Sequence, residues 1–352
     1  MGFAAGWFND SLLLGAISWI GLSLLAALVW SLFNQGDAQE NYWKSARGVL
    51  IAVIVSLLPP FAYFIAGHPL VGWGYILQGW AFAGVAFAFG LNFFLTACVA
   101  RWRSKPITHV VCVIAAASLL VAGAATPSQE FDTPSGIVGL DTYYGAPPRN
   151  DDEHVERFAS VRAQIKEAVA PGGLAAKAQV IVLPENTMNI DDPALDFLVR
   201  SDLLLPLSYA NKSAVVGKLS YSKDGYKNQA ALLSEGAIRQ TVDQRQPAML
   251  SMWKPWATDH FPLDWTRNSA LRLADGRVGR VMICYEEYIP AIFLIDELAG
   301  GHDLSIILSS NWSATTHRLP EIQRMHSLGM TKLFGREAVR AVNYPVKWIS
   351  KS

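Results

Sequence analysis

Cysteine is scarce in this 352-residue chain, with Cys98, Cys112 and Cys284 as its only three. The first two lie inside apolar runs, so no disulfide framework is available. Basic runs are missing too: 29 Lys and Arg stand against 29 Asp and Glu, with no cluster longer than a pair. That excludes the electrostatic footprint that nucleic acid binding requires. His260, His302, His317 and His326 show no metal-ligand spacing, and neither HExxH nor paired CxxC occurs, so no zinc site is expected. The sequence also lacks a glycine-rich phosphate cradle, an internal repeat, a low-complexity tract and a heptad pattern, and it implies no cofactor.

What the chain has in excess is apolar sequence, at 51% hydrophobic residues and a mean hydropathy of +0.23, more than an ordinary soluble domain needs. Four apolar stretches fill the first third: Ser11 to Phe33, Gly48 to Ala66, Pro69 to Ala100 and Ile107 to Ala125. Each suffices for the about 20 helical residues that cross a bilayer core, which predicts a transmembrane α-helical bundle of about four spans over residues 1–125. The first stretch lacks the basic n-region of a signal peptide, and three more follow it. Pro59 and Pro60 should kink the second helix, while Trp73, Tyr75 and Trp80 read as interfacial anchors. Lys44 and Arg47 follow the first span, and Arg101, Arg103 and Lys105 follow the third, so those loops belong inside. The expectation is a multi-pass bacterial inner-membrane protein, in contact with the lipid bilayer, whose polar half is periplasmic. The Pro69 to Ala100 run has an alternative reading, a short re-entrant piece followed by a span.

Hydrophobicity falls sharply at residues 126–135 (TPSQEFDTPS), which read as a linker. Beyond it, over residues 136–352, short apolar runs predict buried strands: IVGLDTYY, QVIVLP, SAVVGKLSY, NQAALLS, RVGRVMIC and DLSIILSS. Helical spacing recurs at His154 to Val169, Pro290 to Ala299 and Glu321 to Val342. Such alternation predicts an α/β layered domain.

Three strand ends carry candidate chemistry. The segment RVMICYEEYIP runs a strand into Cys284 and then turns into a helix, where backbone N–H groups and the positive helix end lower a thiol pKa and bind an oxyanion. A buried structural cysteine is the plain alternative. QVIVLPENT ends a second strand at Glu185, a place where α/β folds collect catalytic groups, although most loop acids are merely solvated. DLSIILSS ends in Asn311 and Trp312, which could cap and pack or touch substrate.

Taken together, VIVLPENT, the VGKLSYSKDGYKNQAALLSEG hairpin, VMICYEE and ILSSNWSA resemble the nitrilase (carbon–nitrogen hydrolase) superfamily over roughly Gly136 to Asn343. The ICYE form of the cysteine motif and the preceding apolar helices look most like its membrane-attached branch, apolipoprotein N-acyltransferase and the conjugal transfer protein TraB. The resemblance implies an αββα sandwich, complete or C-terminally incomplete, with a Glu-Lys-Cys triad. Glu185 matches the base, Cys284 the nucleophile, Glu286 the acidic residue of the cysteine motif, and the Tyr285 N–H an oxyanion donor. Gln244 stands at the lysine position, and Lys254 or Arg245 is left to supply the cation. The implied partners are an acyl donor (lipid or peptide amide), an amine or water acceptor, and envelope or conjugation-machinery proteins.

Overall fold

The computed structural model describes residues 42–63, 68–101, 130–187, 196–222, 225–249, 251–254, 256 and 261–351, with scattered helical positions between 13 and 31 and between 110 and 118. The stretches Ser11 to Phe33 and Ile107 to Ala125, together with Cys112, lie largely outside the described residues. Within the first third three helices are described: α1 (Tyr42–Val55), α2 (Pro69–Ile76) and α3 (Ala81–Arg101).

These helices bear on two of the four expected spans. At 14 residues, α1 is about 21 Å long, short of the roughly 30 Å hydrocarbon core. It stops at Val55, ahead of Pro59 and Pro60, instead of being kinked by them, because proline lacks the amide N–H and crowds the helix before it. The run from Pro69 to Ala100 is two helices parted at Gly79, whose φ of +74° is left-handed and costs glycine little. Among the described residues only α3 is long and apolar enough to cross a membrane, over Ala81–Cys98 with mean hydropathy 1.8. The other two expected stretches lie largely outside the described residues.

The polar half forms four layers. One sheet has the order β1-β2-β3-β4-β5, built from β1 (Ile137–Gly139), β2 (Val180–Val182), β3 (Ser213–Ser222), β4 (Gly225–Ser234) and β5 (Ala237–Asp243). The first three strands are parallel, and β4 and β5 complete an antiparallel meander. The second sheet has the order β6-β7-β8-β9, from β6 (Ala270–Arg272), β7 (Val278–Ile283), β8 (Leu304–Ser310) and β9 (Glu337–Asn343), with β7, β8 and β9 parallel. Parallel strands covered on both sides read as unbroken apolar runs, as VIV of β2 and LSIIL of β8 do. Val180, Val182 and Val215 of one sheet meet Val281, Ile283, Ile306 and Leu308 of the other in a shared core.

Helices close both outer faces. On the first sheet lies α4 (Asp151–Val169), capped by the Asn150 side chain accepting from Glu153 N. Its Phe158, Val161, Ile165 and Ala168 recur at helical spacing and are buried. Beside it run α5 (Asp196–Val199) and α6 (Leu205–Tyr209), joined through a π-helical turn at Arg200–Leu204. The second sheet carries α7 (Pro290–Ala299) and α8 (Arg318–Phe334). The helix expected to reach Val342 ends at Phe334 because Gly335 takes a left-handed cap. Glu337–Asn343 is strand β9 instead, with Val339 and Ala341 in the inter-sheet core. Thus the helix–sheet–sheet–helix order that the resemblance implied is present.

Helix α2 packs against α8 of the polar half. A Cβ on Gly74 of α2 would fall 1.8 Å from the Gly329 carbonyl oxygen of α8, so only glycines permit this crossing. Trp73, read as a lipid-interface anchor, is buried here beside Leu70, Met330 and Leu333. Tyr75 donates its hydroxyl to the Met325 carbonyl at 2.9 Å, and Trp80 alone of the three is exposed.

Candidate active site

Glu185 sits just past β2, where Leu183 and Pro184 carry the chain into a turn continued by Asn186 at φ +51°. The turn lies flat on β3 because residue 217 is glycine, whose Cβ would come 2.5 Å from Glu185 Cα. The Glu185 side chain is buried, and Oε1 accepts from Asn228 Nδ2 at 2.6 Å. Oε2 has no hydrogen-bond partner. Burial pushes the carboxyl up to about 7; the Cys284 thiol, Asn228 and the Ser310 backbone N–H pull against it, and Glu287 adds to the rise.

β7 delivers Cys284 at its carboxyl end with φ +51°. A non-glycine residue held left-handed is strained, and such strain collects at functional positions. A 3₁₀ turn, Cys284–Tyr288, then leads into α7. Glu286 fixes this turn: Oε2 accepts from Ile283 N at 2.8 Å, and Oε1 accepts from Arg245 N at 2.6 Å and Gln246 N at 3.0 Å. Gln323 of α8 donates to the Cys284 carbonyl at 2.9 Å and accepts from Asn311 Nδ2 at 2.8 Å. The half-buried thiol is pushed up, first by burial and then by Glu185, with Glu287 adding and the Ser310 N–H opposing. At rest the pair is a protonated thiol beside a carboxyl poised near neutrality, a nucleophile with its base.

The sequence placed these two together; the remaining candidates divide. Gln244 bridges the strand ends, accepting from Asn228 Nδ2 at 3.2 Å and donating to the Ile283 carbonyl at 2.8 Å. Arg245, weighed as the cation, points elsewhere: its guanidinium grips Asp296 at 2.7 and 3.0 Å in full burial. The Tyr285 hydroxyl donates to the Tyr63 carbonyl at 2.8 Å, tying the turn to the N-terminal segment. Trp312 is half-buried after Asn311, and Lys254 is half-buried in the loop after β5. The largest influences on Glu185 and Cys284 do not include Lys254.

Sequence reasoning missed Asn228, Glu287, Gln323 and Arg340. Fully buried Glu287 accepts from Ser309 Oγ, from Ser327 Oγ at 2.7 Å and from Arg340 Nε at 2.8 Å. Its place next to the cysteine motif was a usable signal; the other three come from distant strands and a helix with no local mark. No cluster of His, Cys, Asp or Glu among the described residues could hold a metal.

No protein-family model matches the chain. A probable conjugal transfer protein TraB from Sinorhizobium fredii is 25% identical over 300 residues, 84% of this chain and 72% of that protein. Among solved structures the chain is similar to a carbon–nitrogen hydrolase from Helicobacter pylori, at 13% identity over 58% of this chain and 72% of that one, with a TM-score of 0.43. An amidase from Nesterenkonia gives 14% identity over 61% and 80% of the two chains, with a TM-score of 0.40. A CN-hydrolase superfamily protein from Xanthomonas campestris gives 13% over 59% and 76%, with a TM-score of 0.39.

Proposed function

We propose that this chain is a membrane-associated thiol enzyme of the carbon–nitrogen hydrolase kind, acting by acyl transfer or amide hydrolysis through an acyl-enzyme on Cys284. The observation that carries this reading is the buried facing of Glu185 and Cys284 at two strand ends, one carboxyl near neutrality and one strained thiol. Glu185 takes the thiol proton as sulfur attacks a carbonyl carbon. The oxyanion forms where the Cys284–Tyr288 turn presents backbone N–H groups, that of Tyr285 first among them. The leaving group departs with the proton from Glu185, and a thioester remains for water or an amine to cleave. Transfer to an amine is the outcome that the resemblance to apolipoprotein N-acyltransferase implies, and α3 is long and apolar enough to hold such a domain at a membrane.

Intact-mass analysis after incubating the purified protein with a lipid extract tests the reading. An acyl adduct on wild type, absent from Cys284→Ala, is expected; no adduct with any acyl donor would defeat it. The proposed periplasmic placement stands on the basic residues Lys44 and Arg47 in the first half of α1 and Arg101 at the end of α3, and labelling of Cys284 by an impermeant maleimide in intact spheroplasts checks it. A second reading, a TraB-like conjugal transfer or envelope-assembly factor using the fold as a binding module, is favoured by Gln244 at the lysine position and by the TraB likeness. Normal function of Cys284→Ala in cells would select it.

A further inference from the structure

The nucleophile turn is gripped from one face of α8. Gln323, His326 and Ser327 fall at helical spacing i, i+3 and i+4, and so share that face. Fully buried Gln323 donates from Nε2 to the Cys284 carbonyl at 2.9 Å. The His326 ring meets Tyr288 edge to face at 5.3 Å, and Ser327 donates to Glu287 at 2.7 Å. Only one orientation of the Gln323 amide is open, because a carbonyl only accepts: Nε2 must face Cys284, which leaves Oε1 to accept from Asn311 Nδ2 at 2.8 Å. The helix that carries this amide is pinned farther along by the close Gly74–Gly329 crossing.

Resting on the acyl-transfer reading above, we infer that Gln323 is a positioning residue for the oxyanion site, aiming the Tyr285 N–H by holding the Cys284 carbonyl. Both groups belong to one peptide unit, which is trans and planar, so its C=O and N–H point in opposite directions. Gln323 draws the carbonyl toward α8, on the outer face of the second sheet. The N–H is thereby turned the other way, toward the first sheet, from which Glu185 faces the thiol. The ladder that orients peptide planes along β7 stops at Ile283, and Cys284 follows with its left-handed φ. Beyond that point the Cys284–Tyr285 unit takes its orientation from contacts such as this one. Through Asn311 the same amide also holds the end of β8, whose Ser310 N–H faces both Cys284 and Glu185. Gln323 touches no reacting atom; it acts through backbone donors.

Two reagents separate aiming from support, because only one of them builds an oxyanion. p-Nitrophenyl acetate acylates Cys284: sulfur adds to the ester carbonyl, Glu185 takes the thiol proton, and p-nitrophenolate leaves. Iodoacetamide alkylates the same sulfur by displacing iodide, with no charge developing on a carbonyl oxygen. Both rates are measured on the full chain, as the part that depends on Cys284. In Gln323→Met acylation should fall about 10²- to 10³-fold, the worth of one oxyanion donor, while alkylation stays within about twofold. Gln323→Asn, a methylene short of the carbonyl, should show the same split to a smaller degree. Gln323→Glu is the rescue, since a protonated carboxyl can donate to the Cys284 carbonyl and accept from Asn311. Its ratio of acylation to alkylation should approach wild type at acid pH and fall as the side chain ionises. Equal losses in both reactions, or no loss in either, in variants that keep the wild-type near-UV circular dichroism, would overturn the inference and leave Gln323 a packing residue. So would a Gln323→Glu ratio no better than that of Gln323→Met at any pH. Wild-type protein that alkylates at Cys284 yet never acylates would instead remove the acyl-transfer reading, and the positioning role with it.

Discussion

Gln244 and Arg245 are adjacent in sequence, yet they belong to two polar clusters built on different terms. Around Arg245, charge meets charge: Asp296 takes both guanidinium ends, Ser269 donates to Asp296 at 3.1 Å, and Glu286 lies 3.8 Å from Nε while binding three backbone N–H groups. Around Gln244, the Glu185 carboxyl and the Cys284 thiol face each other with no cation bonded to either among the described ion pairs, and both titrate upward. One cluster holds the nucleophile turn in place. The other is held by it, and its unsatisfied groups are the ones with chemistry left to do.

The largest test of this contrast removes the base. Glu185→Gln should slow acylation or alkylation of Cys284 by about 10²- to 10⁴-fold, the usual worth of general base catalysis. In wild type the alkylation rate should rise through about pH 7, since only the ionised carboxylate accepts a proton; in the variant that rise should vanish. Stability carries the opposite sign. A carboxyl whose folded pKa is raised favours its neutral form, so its ionisation destabilises the fold as pH climbs from 4.5 toward about 7. Glu185→Gln should therefore melt higher relative to wild type at pH 8 than at pH 5. A variant less stable at pH 8, with alkylation unchanged, would show Glu185 to be a structural acid like Glu286.

Breaking the other cluster should cost stability and spare chemistry. Arg245→Ala leaves Asp296 and Glu286 buried without their cation, and losing one partner of a buried pair costs about 3 to 5 kcal/mol. Urea unfolding measures it. Cys284 in the protein that remains folded should still alkylate with its rise near pH 7, and loss of that profile without loss of stability would merge the two clusters.

Strand ends announce themselves locally, which is why Glu185 and Cys284 were legible: an apolar run closes on a polar residue and then a turn. Asn228, Gln323 and Arg340 were not, because their roles arise from registers and helix docking that bring together residues far apart in sequence. Cys284 φ and the crowding at Gly217 likewise exist only in the fold. The same limit explains the N-terminal third. An apolar helix face does not declare whether lipid or protein will cover it, so Trp73 read as an anchor although α8 buries it, and Gly74 gave no sign of its partner Gly329. EAVRAVN carries helix formers at helical spacing, yet Gly335 ends the helix, and the inter-sheet core claims Val339 and Ala341 as strand residues.

The smallest expected effect decides where the cation comes from. An ammonium resting against Glu185 or Cys284 would draw both groups downward, whereas both stand above their ordinary values. Lys254 is half-buried in the loop after β5, and it is not among the main influences on either group. Lys254→Ala should change acyl-enzyme formation by about twofold or less, the range of a substitution away from the chemistry. A preorganised donor to a tetrahedral intermediate is worth about 10² to 10³ in rate, so the two alternatives differ by far more than the error of a rate measurement. Loss on that larger scale, with the fold intact by melting and with Gln244→Ala silent, would make Lys254 the missing member of the triad.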